Sequence, residues 1–203
     1  MTRARQPGHL LTDRLDLRPL TPGDVDALHP IVSDPGNSRY IPEGPSESPE
    51  ATRAWIERLS ARWVVNGLGY WTVRLRATGE VIGIGGAERR PRFWNIYYLL
   101  DRGFWGRGYA TELALAAQRE AMAVEPRLPV VAWIHEENAA SQAVARHLGL
   151  TDYGLREPQH WNGKPIHYWA DQQPVPGEEP TSAGPPAAAG TAVTRGRHRP
   201  RRG

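Results

Sequence analysis

Two glycines flanking an arginine, Gly106-Arg107-Gly108, lie between an apolar run that ends at Leu100 and an alanine-rich run that opens near Tyr109. The chemistry on offer there is anion binding. The first turn of a helix carries amides with no intrahelical acceptor and a partial positive charge. Glycines just ahead of it let the backbone approach an oxygen atom with no Cβ in the way, and Arg107 adds a fork of donors. The stretch Trp105 to Thr111 therefore suits a phosphate or diphosphate, although a bare Gly-x-Gly turn also serves as an ordinary strand-to-helix connection. It lacks the Gly-Lys-Ser/Thr of a nucleotide P-loop and the Gly-x-Gly-x-x-Gly of a dinucleotide fold, which leaves a different phosphate ester. Further on, Asn138 and Ser141 are one helical turn apart and share a face. His135 precedes them, with an unperturbed pKa suited to proton transfer. Asn138 is equally the residue type that caps a helix.

The elements that must position these groups follow from periodicity and punctuation. Residues 14–20 alternate with period two and predict a strand. Thr21-Pro22-Gly23-Asp24 and Ser48-Pro49-Glu50 each predict a helix start, with a hydroxyl cap, proline at the first position and an acid in the first turn. Residues 70–76 and 80–85 flank Thr78-Gly79 as a hairpin. A strand over 94–100 feeds the glycine turn, and a helix runs through 111–121. A strand over 128–134 leads to a helix from Asn138 to Leu148, stopped by Gly149. Residues 153–161 and 165–169, joined by Asn162-Gly163, predict a terminal hairpin. Hairpins followed by strand, helix, strand, helix and hairpin indicate an α+β fold with a mixed sheet.

Composition restricts the partners. Residues 172–203 hold five Arg and two Glu, a net of +3, which is the net charge of the whole chain. The remaining 171 residues are therefore neutral, so a nucleic acid is expected to engage at most weakly, through the arginine cluster at 195–202. The Pro-, Gly- and Ala-rich stretch 172–203 cannot bury enough apolar surface to offset its ordering entropy and is expected to be disordered. Residues 1–9 are expected to form a flexible N-terminus, leaving 10–171 as one domain. The chain has no cysteine, which excludes disulfides, thiolate metal sites and a cysteine nucleophile; no metal is expected. No run approaches the ~18 apolar residues of a membrane span, and the first residues lack a secretory h-region. A cytoplasmic monomer or homodimer is expected.

Four blocks in order resemble the GNAT acetyltransferase superfamily, and within it the RimJ/RimL-type ribosomal-protein N-acetyltransferases. They are Leu11 to Asp24; Tyr98 to Leu100 with Phe104 to Glu112; Ala132 to Ser141; and His147 to Leu150. The resemblance spans about Leu10 to Trp169. It implies a mixed, mostly antiparallel sheet split into a V and flanked by about four helices. It implies acetyl-CoA as cosubstrate and a primary amine as acceptor, with the pantetheine arm along Asn95–Leu100. Backbone N–H groups of Trp105, Gly106, Arg107, Gly108, Tyr109, Ala110 and Thr111 would hold the pyrophosphate. An amide near Leu99 or Leu100 would bond the thioester oxygen, and Asn138 the pantetheine.

Departures from the family pattern matter for the chemistry. Trp105 stands where the superfamily usually has Gln or Arg. Ala145 stands at the position of the tyrosine that many members use as general acid, and Ser141 is then the expected donor to the sulfur. Asn95 replaces the frequent glutamate base. Glu88, Asp101, His135 and Glu136 are the nearby substitutes, His135 having the most suitable pKa. A water chain is the alternative, because an N-terminal α-amine with a pKa of about 7.7–8.0 is partly neutral without help. The acceptor is expected to be a protein N-terminal α-amine, with a small-molecule amine such as a drug or polyamine as the alternative. A CoA-binding sensor or scaffold of little turnover is a third reading.

Overall fold

The computed structural model describes residues 8–41, 44–156 and 165–173. It is built on one eight-stranded sheet in the order β1-β2-β3-β4-β5-β6-β8-β7. A two-residue strand, β1 (Leu10–Leu11), precedes β2 (Leu15–Pro19) and pairs with it. At Thr21 the backbone amide donates to Asp24 Oδ2 at 3.0 Å, starting a 3-10 turn that runs into α1 (Val25–Val32). Ser48 caps α2 (Pro49–Asn66) by accepting from the Ala51 amide at 3.1 Å, and Gly67, at φ 69°, ends it. The hairpin of β3 (Tyr70–Leu75) and β4 (Val81–Arg89) follows, its second arm ending four residues later than the sequence indicates. Gly83, Gly85 and Gly86 interrupt that arm's side-chain pattern, and they hid its length.

Then come β5 (Trp94–Leu100), α3 (Tyr109–Val124), β6 (Val130–His135) and α4 (Ala139–His147). The terminal pair is β7 (Thr151–Arg156) and β8 (Ile166–Ala170). Strand β7 begins two residues before the expected position. Strand β8 lies between β6 and β7, so the last of the described strands is interior. The expected Asn162-Gly163 turn lies outside the described residues, as does the tail from 174 onward.

Every neighbouring pair is antiparallel except β5 and β6. Those two strands are parallel and touch only at Trp94↔Val130 and Asn95↔Val131. Beyond that point they diverge, and the sheet opens as a V. Helices α3 and α4 cover one face through Leu113, Ala114, Ala117, Val144 and Leu148. Helices α1 and α2 cover the other through Val25, Leu28, Ile56 and Leu59. Gly85 lets α3 sit this close: a Cβ there would fall 2.8 Å from Leu113 Cδ2 and 2.7 Å from the Tyr97 carbonyl. At the N-terminal edge the Gly8 carbonyl accepts from the Trp71 indole at 2.8 Å, and His9 Nε2 lies 2.6 Å from Asp16 Oδ1.

Candidate active site

The V opening holds a cavity of about 540 Å³. One wall is the outer edge of β5. The Asp101 amide donates to the Ile82 carbonyl at 2.9 Å, which with the β4–β5 register turns the backbone groups of Leu99 and Tyr97 toward β4. The alternate residues, Tyr98 and Leu100, direct theirs into the gap. The Leu100 carbonyl is met there by the Trp105 indole Nε1 at 2.8 Å. Trp105 thus fixes the turn against the strand end through a side-chain donor.

The floor is the glycine turn. A 3-10 turn over Arg102–Phe104 leaves β5, with the Asp101 carboxylate accepting from the Gly103 amide at 2.8 Å. The chain then passes Gly106 at φ 72° and Gly108 at φ 79°. Both lie in the left-handed region that glycine tolerates and a β-branched residue does not. The first bond into the helix runs from the Glu112 amide to the Gly108 carbonyl at 3.0 Å. Among the described residues no protein group accepts from the amides of Gly106 through Thr111. Six consecutive donors at a helix start, unspent by the protein, match a polyanion such as a diphosphate.

The opposite wall is α4. Asn138, which lines the cavity, accepts from the Ser141 amide on Oδ1 at 3.1 Å, a helix cap that spends its oxygen and not its amide nitrogen. Ser141 lines the same space, as does Tyr98 from β5. Burial pushes the Tyr98 phenol up to about 12, the contact with Ser141 partly offsetting the rise. The loop from α1 to α2 closes the mouth. Asn37 takes the Arg102 amide on Oδ1 at 2.9 Å and gives Nδ2 to the Ile31 carbonyl at 3.0 Å. Tyr40 reaches across to donate to the Glu137 carbonyl at 3.4 Å.

Of the residues singled out from sequence, Leu99, Leu100, Trp105, Gly106, Gly108, Tyr109, Ala110, Thr111, Asn138 and Ser141 line this cavity. Arg107 and His135 do not. The Arg107 guanidinium lies 5.5 Å from the Phe104 ring centroid on the exposed side of the turn. His135 packs its ring 5.4 Å from that of Tyr40, and its Nδ1 accepts from the Glu137 amide at 3.2 Å. A neutral ring in that state carries its proton on Nε2 and has no spare lone pair. Glu88 is 4 % exposed and committed to Arg90 at 2.8 Å, Arg62 at 3.2 Å and Tyr70 at 3.3 Å. Asp101 is spent on its turn, and Glu136 is exposed.

Four residues are given no role by the sequence. Tyr98 and His147 line the cavity, the latter with Nδ1 donating to the Ala143 carbonyl at 2.7 Å. Arg14 and Glu112 join across the back of the turn at 2.7 Å. The periodicity that marks a strand near residue 14 and a helix at residue 112 signals faces, not partners, so nothing in it links the two.

A strand that splits from its neighbour, followed by a glycine turn with unspent amides and a helix, defines a mixed α/β protein with a sheet cleft whose floor suits an anionic ligand. Residues 14–151 match the family model of the acetyltransferase (GNAT) domain, and the chain belongs to this family and is an N-acetyltransferase. It is 27% identical over 160 residues to an N-acetyltransferase of Bacillus subtilis, YoaA, covering 77% of this chain and 90% of that one. An acetyltransferase structure from Agrobacterium tumefaciens superposes with a TM-score of 0.68 at 29% identity, over 85% of this chain and 99% of the other. The structure of RimL, a ribosomal L7/L12 alpha-N-protein acetyltransferase in complex with coenzyme A, superposes with a TM-score of 0.65 at 22% identity, over 79% and 95%. No helix among the described residues is long and apolar enough to cross a membrane.

Proposed function

We propose that this chain transfers the acetyl group of acetyl-CoA directly to a primary amine, the acceptor being the α-amine of a protein N-terminus. The row of unspent amides from Gly106 to Thr111, at the foot of a cleft with an open strand edge, carries this reading. In it, the amides take the pyrophosphate and the outer edge of β5 pairs with the pantetheine arm. The amine nitrogen attacks the thioester carbonyl. Its oxygen, as it becomes negative, takes a hydrogen bond from a backbone N–H at the strand end, a role for which the β4–β5 register favours Leu100 over Leu99. The C–N bond forms and the C–S bond breaks; the attacking nitrogen gives up one proton to water, and the leaving thiolate, held by a hydrogen bond from Ser141 Oγ, takes up one proton from solvent to depart as the CoA thiol.

The choice of an α-amine rests on what the cavity lacks. Among the described residues its lining offers no buried carboxylate to deprotonate the attacking amine: Glu137 is 65 % exposed. An amine with a pKa of about 7.7–8.0 reaches the site partly neutral, whereas a lysine-type amine near 10.4 does not. RimL, whose fold this chain shares, acts on such an amine. A small-molecule amine of low pKa would meet the same requirement.

The test is in two stages. CoA should raise the melting temperature by linkage; a folded protein that shows no shift with CoA or acetyl-CoA rules the reading out. Thiol release is then followed with N-terminal peptides, lysine side-chain analogues and small amines. Turnover with α-amine peptides, rising with pH to about 8, is the expected result. Preference for small amines moves the acceptor class, and binding without turnover on any amine reduces the chain to a CoA-binding module.

A further inference from the structure

Arg14 comes from the far end of the chain, just ahead of β2, and meets the back of the glycine turn at four places. Its Nε donates to Glu112 Oε2 at 2.7 Å, and its backbone amide to Glu112 Oε1 at 2.8 Å. Its Nη1 donates to the Arg107 carbonyl at 2.8 Å. Its guanidinium covers the Tyr109 ring at 4.5 Å from the centroid. Its Nη2 lies 3.4 Å from where a Cβ on Gly108 would stand. Thr12 adds a further hydrogen bond to Glu112. Neither Arg14 nor Glu112 lines the cavity.

We propose that Arg14 is a positioning residue that holds the turn in its diphosphate-binding form, an inference that rests on the acetyl-CoA reading above. The peptide unit between Arg107 and Gly108 is planar and trans, so its C=O and N–H point in opposite directions. Arg14 pulls the Arg107 carbonyl to the back of the turn. The Gly108 amide is thereby aimed forward, into the cavity. A turn free to rotate that peptide would present a carbonyl oxygen to the phosphates. Arg14 has a second effect through charge. Glu112 is a carboxylate in the first turn of the very helix that must receive an anion, and the guanidinium neutralises it there. One planar fork serves the carboxylate and the carbonyl together, which a lysine ammonium cannot do in the same geometry.

The test compares CoA with pantetheine, which keeps the arm and lacks the diphosphate. Titration calorimetry is run on the full chain and on Arg14→Ala and Arg14→Lys. The expected result is a Kd for CoA raised about tenfold in Arg14→Ala, about 1.4 kcal/mol, with the Kd for pantetheine within about twofold of the parent protein. Arg14→Lys keeps the charge opposite Glu112, so it preserves the fold if the alanine variant does not. It should still lose CoA affinity severalfold and leave pantetheine alone. Equal losses for both ligands in a folded variant, or no loss for either, overturn the proposal. A parent protein that binds CoA no better than pantetheine instead overturns the diphosphate site itself, a separate outcome visible before any variant is made.

Discussion

Ser141 on α4 and Tyr98 on β5 line the same cleft, and their nearness separates a proton-handling role from a packing role. The phenol, pushed up to about 12 by burial, stays protonated throughout any workable assay range, so it acts on Ser141 as a neutral donor or acceptor and not as a titrating acid. If Ser141 bonds the departing sulfur, Ser141→Ala should lower kcat by about tenfold to a hundredfold while the Kd for CoA moves little. Tyr98→Phe should cost less. The double variant should be no worse than Ser141→Ala alone, because Tyr98 works through that serine. Additive losses in steady-state kinetics would mean the two side chains act separately. The sequence indicated Ser141 through its spacing from Asn138. Tyr98 was part of a family block, yet its partner could not be read, because the contact joins residues 43 positions apart across the cleft.

At the level of the element, the strand–turn–helix unit of β5, the glycine turn and α3 depends on two left-handed residues. Gly106 has open space where a Cβ would go, whereas a Cβ on Gly108 would sit against the Arg14 fork. Gly108→Val therefore adds steric pressure on Arg14 to the conformational cost of a β-branched residue at positive φ. It should lose most CoA affinity by calorimetry and lower the melting temperature. Gly106→Ala should show the conformational cost alone, about 1 kcal/mol, and bind CoA more nearly as the parent does. Similar losses in the two variants would show that the turn's shape, not its contact with Arg14, governs binding. This unit was the most legible part of the chain, since glycine, alanine and an apolar run announce strand, turn and helix locally. The length of β4 was not legible. Its glycines remove the side chains on which a period-two reading depends, and they are there because Leu113 and neighbouring backbone need that room.

On the scale of the whole molecule, the described fold closes at Asp171, whose amide donates to the Val130 carbonyl at 3.2 Å and whose Oδ1 accepts from the Val130 amide at 2.9 Å. That clasp ties the last strand to the first residue of β6, and both of its bonds lie before the tail. The order of elements from β2 onward could be anticipated from the sequence; the interior place of β8 could not, because strand order is set by which edges remain open after the V has formed. The N-terminal segment is part of the same closure, since Thr12 and Arg14 hold Glu112. Burial raises the Glu112 carboxyl, but the bonds from Thr12 and Arg14 outweigh it and the net shift is downward from the ordinary 4.5. A depressed folded pKa contributes stability that is fully present above the ordinary value and is lost as pH falls through the folded one. Melting temperature should therefore decline below about pH 4.5, and Glu112→Gln should flatten that decline by removing the titrating group. An acid limb unchanged in Glu112→Gln would assign the loss to other carboxylates, Asp16 among them, which is also held low by Arg18 and His9 against its own burial.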